Sequence, residues 1–495
     1  MKKQLLLILT VFILICALPV ILSSCGSNNN NSSAVENAEN NDIHQEEYQK
    51  EESDADQSAG YKDNVPEMDL GGYNFRILSH QSVWLHAEMN FEEETGDIIQ
   101  DSIYRRNRKI EERFNIIITE TNDISKAKPA ILAGSDEYDI ATAWCATILT
   151  HYNEGLGYKF EDYSLYIDLT QPYWDDSITQ ALTFGGTVLF PIGASDIPSY
   201  DYTHVLLFNK QLITDLGLEN PYTIVKSGRW TFDKFDEMAK TAVKDVNGDG
   251  IMDQSDTYGL VSMVKYVLPC FWVAAGTETI SKTTDGIPQF TLREDEKFAN
   301  VIDKIFSITY DTNAWYRDVK NITNISEIGD SLVINNQALF FNSTFQRVEA
   351  LRGMDTDFGI IPYPKYTENQ EKYYTRMEGC NPFIIPITVP EPENIGAIME
   401  ALSCESFYSV IPVYYDVSLK TKLARDEESA EMLDIIFGNR VFDLGDTIWC
   451  GLLRDGMFLT MFQKDDRNLA SQLEKVENKI NKEIDTVLKA LDLLG

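Results

Sequence analysis

The sequence predicts an α/β protein built from two lobes, on two observations. From Tyr73 to Thr142 the pattern runs strand, helix, strand, helix, strand, which is typical of a parallel sheet covered by helices. The chain has 495 residues, more than a single hydrophobic core organises, so two lobes are expected.

The start of the chain has the pattern of an export signal. Met1-Lys2-Lys3 precedes an apolar run from Leu5 to Leu22, and Ser23-Ser24-Cys25 follows it. The segment ending at Cys25 resembles the bacterial lipobox, in which the cysteine is acylated and the chain is cut just before it. We therefore expect residues 1–24 to be a signal peptide and Cys25 to carry a lipid that holds the protein at the extracellular face of the cytoplasmic membrane. An uncleaved anchor is the alternative, because about 20 apolar residues suffice to span a bilayer.

Residues 25–66 are predicted to be a disordered acidic tether, because they are rich in Asn, Ser, Glu and Asp and nearly lack large apolar side chains. The formal net charge of the whole chain is -36, which argues against nucleic acid as a partner, since phosphate binding needs clustered Lys and Arg. Beyond the lipobox the cysteines are scattered without a CxxC, so we predict neither a disulfide framework nor a zinc site. Most should be small buried residues: Cys145, Cys270, Cys380, Cys404 and Cys450.

Within the first lobe we predict strands at Tyr73–Ser79, Asn115–Thr119 and Tyr138–Thr142, with an amphipathic helix at Ile98–Phe114 between the first two. A further helix should lead into the third strand.

The second part of the chain begins with a predicted strand at Val205–Phe208 and a helix from about Lys210 to Leu216. Another helix should start at Thr231, which is placed as N-cap, with Trp230 stapled against Phe235. A long C-terminal helix carries one apolar face, which we expect to pack on the core: Leu469, Leu473, Val476, Ile480, Ile484, Val487 and Leu491.

Several stretches are informative when they are taken in their order along the chain. They are 133–140 (AGSDEYDI), 166–170 (YIDLT), 173–175 (YWD), 208–210 (FNK), 228–231 (GRWT) and 358–365 (FGIIPYPK). Together they resemble one family, the extracellular solute-binding proteins of ABC importers, and in particular family 1, the branch related to the maltose-binding type that is common in Gram-positive anaerobes. The resemblance covers about residue 70 to the end.

The resemblance implies a type II periplasmic-binding-protein-like fold, two α/β lobes with a hinge and a cleft between them. One lobe would hold residues 67–190 plus about 375–425, and the other 191–374 plus about 426–495. It implies a monomer, not an enzyme, that captures a small solute, with a carbohydrate or oligosaccharide as the favoured class, and delivers it to the permease subunits. Ligand binding favours closure of the cleft, because the ligand contacts both lobes at once only in the closed form.

Ligand residues are expected in loops at the carboxyl ends of strands, where aromatic faces and polar groups can grip a sugar. After the first strand the candidates are His80, Gln81 and Trp84, and after the third strand Trp144. The remaining candidates are Ser195 and Asp196 near the first crossing, and Trp272 and Phe345 from the second lobe.

Residues 245–256 (DVNGDGIMDQSD) match a twelve-residue calcium loop, with Gly250 at the turn. The last position holds Asp in place of the usual Glu, as in dockerin modules, which puts the affinity in doubt. The predicted ligands of a structural Ca²⁺ are Asp245, Asn247, Asp249, the Ile251 carbonyl, Asp253 and Asp256.

Two other functions stay open. An extracellular glycan-active enzyme would use a pair of carboxylates, which sequence alone cannot pair in space. A surface glycan-binding protein without a transporter is the other alternative. The chain shows no GxSxG, HExxH or Walker loop, and its five His have no metal-site spacing.

Overall fold

Two four-stranded sheets organise the part of the chain that the computed structural model describes, which is residues 61–80, 82, 86–316, 325–348, 351, 357–415 and 426–494. The predicted signal peptide, Cys25 and the tether as far as residue 60 lie outside the described residues. Among those described, no helix is both long and apolar enough to cross a membrane.

The strands of the described chain, including short two-residue ladders, are numbered in chain order. They are β1 (Tyr73–Ser79), β2 (Ile116–Asn122), β3 (Ile140–Thr142), β4 (Thr183–Phe184), β5 (Thr187–Val188), β6 (His204–Asn209), β7 (Tyr258–Val261), β8 (Ser281–Lys282), β9 (Pro288–Gln289), β10 (Ala338–Thr344), β11 (Phe358–Ile361), β12 (Thr375–Arg376), β13 (Phe383–Ile384) and β14 (Arg440–Val441).

The α-helices are numbered in the same way. They are α1 (Ile98–Phe114), α2 (Ala127–Leu132), α3 (Cys145–Asn153), α4 (Phe160–Tyr163), α5 (Asp176–Ala181), α6 (Pro198–Asp201), α7 (Lys210–Asp215), α8 (Pro221–Lys226), α9 (Phe232–Thr241), α10 (Val264–Ala274), α11 (Glu296–Tyr310), α12 (Ile325–Ile334), α13 (Phe345–Val348), α14 (Pro392–Glu405), α15 (Glu427–Phe437), α16 (Leu459–Gln463) and α17 (Leu469–Ala490).

The first sheet has the strand order β13-β3-β1-β2. β1 runs parallel to β2 and to β3, and β13 pairs antiparallel with β3. Ile77, Leu78 and Ser79 at the carboxyl end of β1 are all buried, because helices and loops cover both faces of the sheet there. Because β1 and β3 are parallel, the loops that follow them leave the sheet at the same edge.

The second sheet has the order β11-β6-β10-β7. All six residues of β6 (HVLLFN) are buried, because the strand lies in the middle of a sheet that is covered on both faces. Its antiparallel neighbours β10 and β11 come from much later in the chain.

Two fully described segments lead from one sheet to the other. We call them the first crossing segment (residues 189–203) and the second crossing segment (residues 362–382). The first is held tightly, since a Cβ added to Gly193 would lie 2.3 Å from the hydroxyl of Ser403. A third connection joins α14, which packs on α1, to α15, which packs on β11, and it includes residues 416–425, which are not described. These contacts do not test the predicted lobe boundaries, which stay a prediction.

The predicted elements of the first lobe are found with small shifts. The bounds of β1 and α1 are those expected. β2 begins at Ile116 and not at Asn115, because Asn115 adopts a left-handed conformation (φ 49°) that ends α1. β3 is shorter than predicted and starts at Ile140.

Four further local predictions are confirmed. The hydroxyl of Thr231 accepts a hydrogen bond from the backbone N–H of Lys234 (3.3 Å) and caps α9. Trp230 packs edge-on against Phe235, with 6.0 Å between ring centres. The C-terminal helix α17 packs its apolar face on the core, and all five cysteines of the described chain are buried and unpaired.

Candidate functional site

Trp144 lies directly after β3, at the N-terminus of α3, as a partly exposed side chain. Its ring meets Tyr202 of the first crossing segment edge to face, with 4.9 Å between centres. On the other side it lies against Gly379 of the second crossing segment, where an added Cβ would come within 2.2 Å of the indole. Trp144 thus contacts both crossing segments.

Five buried charged or titratable side chains, which we call the buried ionic network, lie beside this tryptophan. They are His204, Arg376, Glu378, Asp446 and Arg454. They come from β6, the second crossing segment and the C-terminal region, so the network joins parts of the chain that are far apart in sequence.

Arg376 is the centre of the network and has no solvent exposure. Its guanidinium donates two hydrogen bonds to Asp446, from Nε (2.6 Å) and from Nη2 (2.8 Å). Nη1 donates to Nε2 of His204 at 2.6 Å. A bidentate pair of this kind is the arrangement that makes burial of an Arg and a carboxylate tolerable.

His204 is neutral at neutral pH. Burial, assisted by the charge of Arg376, lowers its pKa to about 4. The guanidinium of Arg376 keeps its protons, so Nε2 of the neutral ring accepts from it, and Nδ1 lies 3.1 Å from the side-chain amide nitrogen of Asn342.

Glu378 is the carboxylate of the network that precedes Gly379, the residue that contacts the Trp144 ring. Burial alone would raise its pKa, but the positive charges of Arg376 and Arg454 outweigh burial and hold the pKa well below its ordinary value. Nη1 of Arg454 lies 3.4 Å from Oε1 of Glu378, and Nζ of Lys265 lies 3.9 Å from the same atom. Glu378 therefore stays ionised and fixed in place.

The second lobe contributes Lys265 and Tyr266 from the first turn of α10. The ring of Tyr266 packs edge-on against His204, with 4.7 Å between centres, and the guanidinium carbon of Arg376 lies 5.3 Å from the Tyr266 ring centre. The Lys265 side chain is 35% exposed. We name the partly exposed side chains Trp144, Tyr202, Lys265 and Tyr266, together with Glu378 beneath them, the Trp144 surface.

This surface has the parts that a polar ligand with apolar faces needs. Indole and phenol rings supply flat contact area, while an ionised carboxylate and an ammonium supply hydrogen bonds of both kinds. It draws on the first lobe, on both crossing segments and on the second lobe.

The other predicted ligand residues are distributed differently. Trp84 and Gln81 lie outside the described residues. His80 follows β1 as predicted and is half-buried, and burial lowers its pKa. Ser195 and Asp196 line a small cavity between the crossing segments, and the hydroxyl of Ser195 lies 3.3 Å from that of Ser403.

Two predicted ligand residues are corrected by the structure. Trp272 lies inside α10 with no exposure and packs against Phe298 and Phe458. Phe345 begins α13, is 1% exposed and stacks on Phe437. The physical reasons differ. Trp272 belongs to an apolar run that forms a core helix and not a loop. Phe345 has polar neighbours in the sequence, but its ring is drawn into a core cluster together with the ring on which it stacks.

Sequence reasoning missed most of the buried ionic network. Arg376 and Glu378 stand in a stretch (TRMEGCNPF) whose charges look like ordinary surface charges. The signal that was present is the apolar run immediately after them, which made a buried setting for both charges plausible.

The predicted calcium loop folds around its own carboxylates. Both oxygens of Asp245 accept backbone N–H groups, from Gly248 (2.7 Å) and Gly250 (2.8 Å), and Gly250 has the positive φ (81°) expected at the turn. Asp256 is fully buried and accepts from the backbone of Val246 and Asp253 (both 2.8 Å).

The loop offers only oxygen donors, the set that Ca²⁺ prefers. Within the described part of the chain, however, no three His, Cys, Asp or Glu side chains are grouped so that they could hold a metal ion. Calcium binding therefore stays a prediction.

Comparison with known proteins gives no matching family model and no matching curated protein. The fold, in contrast, matches solved structures over nearly their whole length. One is an ABC substrate-binding protein from Listeria monocytogenes in complex with cycloalternan, with TM-score 0.54, 12% identity and 83% of this chain and 98% of that chain covered.

Two other solved structures are similar to the same degree. The maltose/maltodextrin-binding domain from Bdellovibrio bacteriovorus bound to maltotriose gives TM-score 0.52, 16% identity and coverage of 83% of this chain and 100% of that chain. The cyclic α-maltosyl-1,6-maltose binding protein from Arthrobacter globiformis gives TM-score 0.57, 12% identity and coverage of 84% and 99%. The chain thus has the two-lobe α/β fold of the solute-binding proteins, as predicted.

Proposed function

We propose that this protein is the substrate-binding component of an ABC importer. It captures a carbohydrate or oligosaccharide between its lobes and delivers it to membrane permease subunits. The observation that carries the proposal is the Trp144 surface, where aromatic and charged side chains from both lobes meet at the crossing segments.

The chemistry of the surface favours a sugar. The exposed part of the Trp144 ring provides a flat face for the C–H groups of a pyranose, and Glu378 and Lys265 accept from and donate to hydroxyl groups. The similar structures from Listeria monocytogenes and Bdellovibrio bacteriovorus hold cycloalternan and maltotriose, which supports the same ligand class here.

Capture without chemical change fits the state of the carboxylates. Glycoside hydrolysis needs one carboxyl group that is protonated at the working pH, through a raised pKa. At the Trp144 surface Glu378 has a lowered pKa and remains ionised. The surface is thus suited to hydrogen bonding and not to proton donation.

The proposal also includes the place where the protein works. A lipid on Cys25 anchors the chain at the extracellular face of the cytoplasmic membrane. The protein acts as a monomer and belongs to family 1, in the branch that is common in Gram-positive anaerobes. Several acyl chains at about 0.8 kcal/mol per buried CH₂ hold a soluble domain at a bilayer. The calcium loop at residues 245–256 binds a structural Ca²⁺ from the medium.

A ligand screen on the mature chain tests the function. We expect an oligosaccharide such as maltotriose, or another member of a mono- and oligosaccharide panel, to raise the unfolding temperature saturably and to be recovered unchanged. Trp144→Ala should abolish this shift, because it removes the flat contact face. The matched control is Tyr408→Ala, which removes an exposed aromatic side chain outside the Trp144 surface, packed against Phe407. This variant should keep the ligand-induced rise in unfolding temperature. Conversion of the sugar, or an equal shift in Trp144→Ala, would contradict the proposal.

A further inference from the structure

A small cavity lies where the two crossing segments meet. Ser195 and Asp196 line it from the first segment and Asn381 from the second, with His86 and Thr142 completing the wall. The space available to a water-sized sphere is about 20 Å³, enough for one water molecule or one small ion.

Two buried oxygen atoms at this cavity have no hydrogen-bond partner within the described chain. They are Oδ1 of Asp196 and Oδ1 of Asn381, and each residue is only 8% exposed. The two residues are neighbours, because the backbone N–H of Asn381 donates to the other carboxylate oxygen of Asp196 at 3.1 Å. Both orphan atoms are acceptors and meet no donor of the described chain, so each needs a donor or a positive charge in the cavity.

The charged groups around Asp196 are engaged elsewhere. Arg440, whose positive charge acts on Asp196, donates to Asp175 at 2.7 Å. Asp201 is bound by His86 (Nδ1 to Oδ1 3.0 Å) and by the hydroxyl of Tyr414 (2.9 Å). The carboxylate of Asp196 therefore faces the cavity without a directly bonded counter-ion, in a region that also holds Asp175 and Asp201.

The oxygen atoms that line the cavity determine which kind of cation it can bind. A single carboxylate with neutral amide and hydroxyl oxygens balances one positive charge, whereas Ca²⁺ wants six to eight oxygen ligands and more negative charge. The available space admits one small ion and excludes an organic cation.

We propose that this cavity binds a monovalent metal cation, Na⁺ under extracellular conditions, between Asp196 Oδ1 of the first crossing segment and Asn381 Oδ1 of the second. The ion ties the two segments together at the hinge. The site is independent of the sugar ligand, and it is separate from the predicted calcium loop.

Sodium and protons compete for Asp196. Burial raises its pKa to about 7, so the carboxyl group holds a proton below that pH and a cation above it. The remaining groups that act on it are Arg440, which favours the ionised form, and Asp201 and Asp175, which oppose it. The stabilisation by sodium should therefore be present above about pH 7 and lost below it.

Thermal unfolding of the mature chain in a calcium chelator tests the site. At about pH 8, NaCl should raise the unfolding temperature saturably above that in N-methyl-D-glucamine chloride of equal ionic strength, and the difference should vanish at about pH 5.5. Asp196→Asn should lose the sodium effect, while Asp285→Asn, at an exposed position, should keep it.

Equal unfolding temperatures in the two salts would show that the cavity holds a water molecule only, which overturns the proposal. Persistence of the full sodium effect in Asp196→Asn would also overturn it. If Asp196→Asn does not fold, the pH series on the unmodified chain decides alone, because a sodium effect of equal size at both pH values excludes Asp196 as the ligand.

Discussion

At the scale of single residues, the main feature is the burial of full charges beside Trp144. Removing a carboxylate or a guanidinium from water costs several kcal/mol unless partners replace the lost hydration. Asp446, with no exposure, and Arg376 satisfy each other through two short hydrogen bonds. This pairing fixes Glu378 and Arg454, which in turn fix the floor of the Trp144 surface.

Loss of one partner should therefore be costly. We expect Asp446→Asn to lower the free energy of unfolding by about 3–5 kcal/mol, because Arg376 is left buried with too little negative charge. Urea unfolding followed by tryptophan fluorescence measures this change. Asp311→Asn is the control, since it breaks an exposed pair with Arg467 and should leave the midpoint nearly unchanged. Equal midpoints for both variants would show that the buried pair is not a structural anchor.

Sequence alone placed Trp144 after the third strand but did not reveal its surroundings, and the reason is physical. A tryptophan directly after a strand at the sheet edge can be placed from local pattern. The pairs Arg376 with Asp446 and His204 with Glu378 join residues that are 70 and 174 positions apart, so nothing in the local sequence reveals them.

At the scale of secondary structure, local signals predicted best where a local interaction decides the outcome. The helix at Ile98–Phe114 and the cap at Thr231 follow from periodicity and from a hydroxyl in reach of the first turn. Trp272 was misplaced because an apolar run of this length is ambiguous, and whether it forms a loop at a cleft or a helix in the core depends on tertiary packing. Phe345 was misplaced because its polar neighbours in the sequence do not reveal that its ring packs in a core cluster.

Calcium binding by the loop at residues 245–256 can be tested with a single substitution. Asp249→Asn keeps an oxygen that can accept from the backbone of Ile251 (2.8 Å in the native loop), so the turn should survive while the charge is lost. We expect calcium to raise the unfolding temperature of the native chain and Asp249→Asn to need a much higher calcium concentration for the same rise.

The exposed Asp285→Asn should respond to calcium like the native chain. Isothermal titration in sodium-free buffer separates this site from the crossing cavity. An unfolding temperature that does not depend on calcium would show that residues 245–256 form a metal-free turn.

At the scale of the whole molecule, the two sheets are joined by crossing segments that also carry side chains of the Trp144 surface. Tyr202 and Glu378 lie on these segments, so a ligand that contacts them acts where the lobes are connected. A ligand shifts an equilibrium between open and closed forms only by its difference in affinity for the two. Contacts from both lobes supply that difference.

The net charge of -36 belongs to the same scale. At the proposed location, like charge on the protein and on an anionic bilayer would keep the protein from lying flat on the membrane, so the proposed lipid anchor would leave the cleft open to the medium.

Ligand-induced closure is the central claim, and a distance measurement between the lobes tests it most directly. Spin labels on Leu132→Cys and Ile334→Cys report on one exposed site in each lobe, and the native cysteines of the described chain are buried. The account predicts that a sugar found by the ligand screen shifts the distance distribution to a single narrow population, that Trp144→Ala prevents the shift, and that the sugar is recovered intact. An unchanged distribution at saturating sugar, or a sugar that has been cleaved, would contradict it.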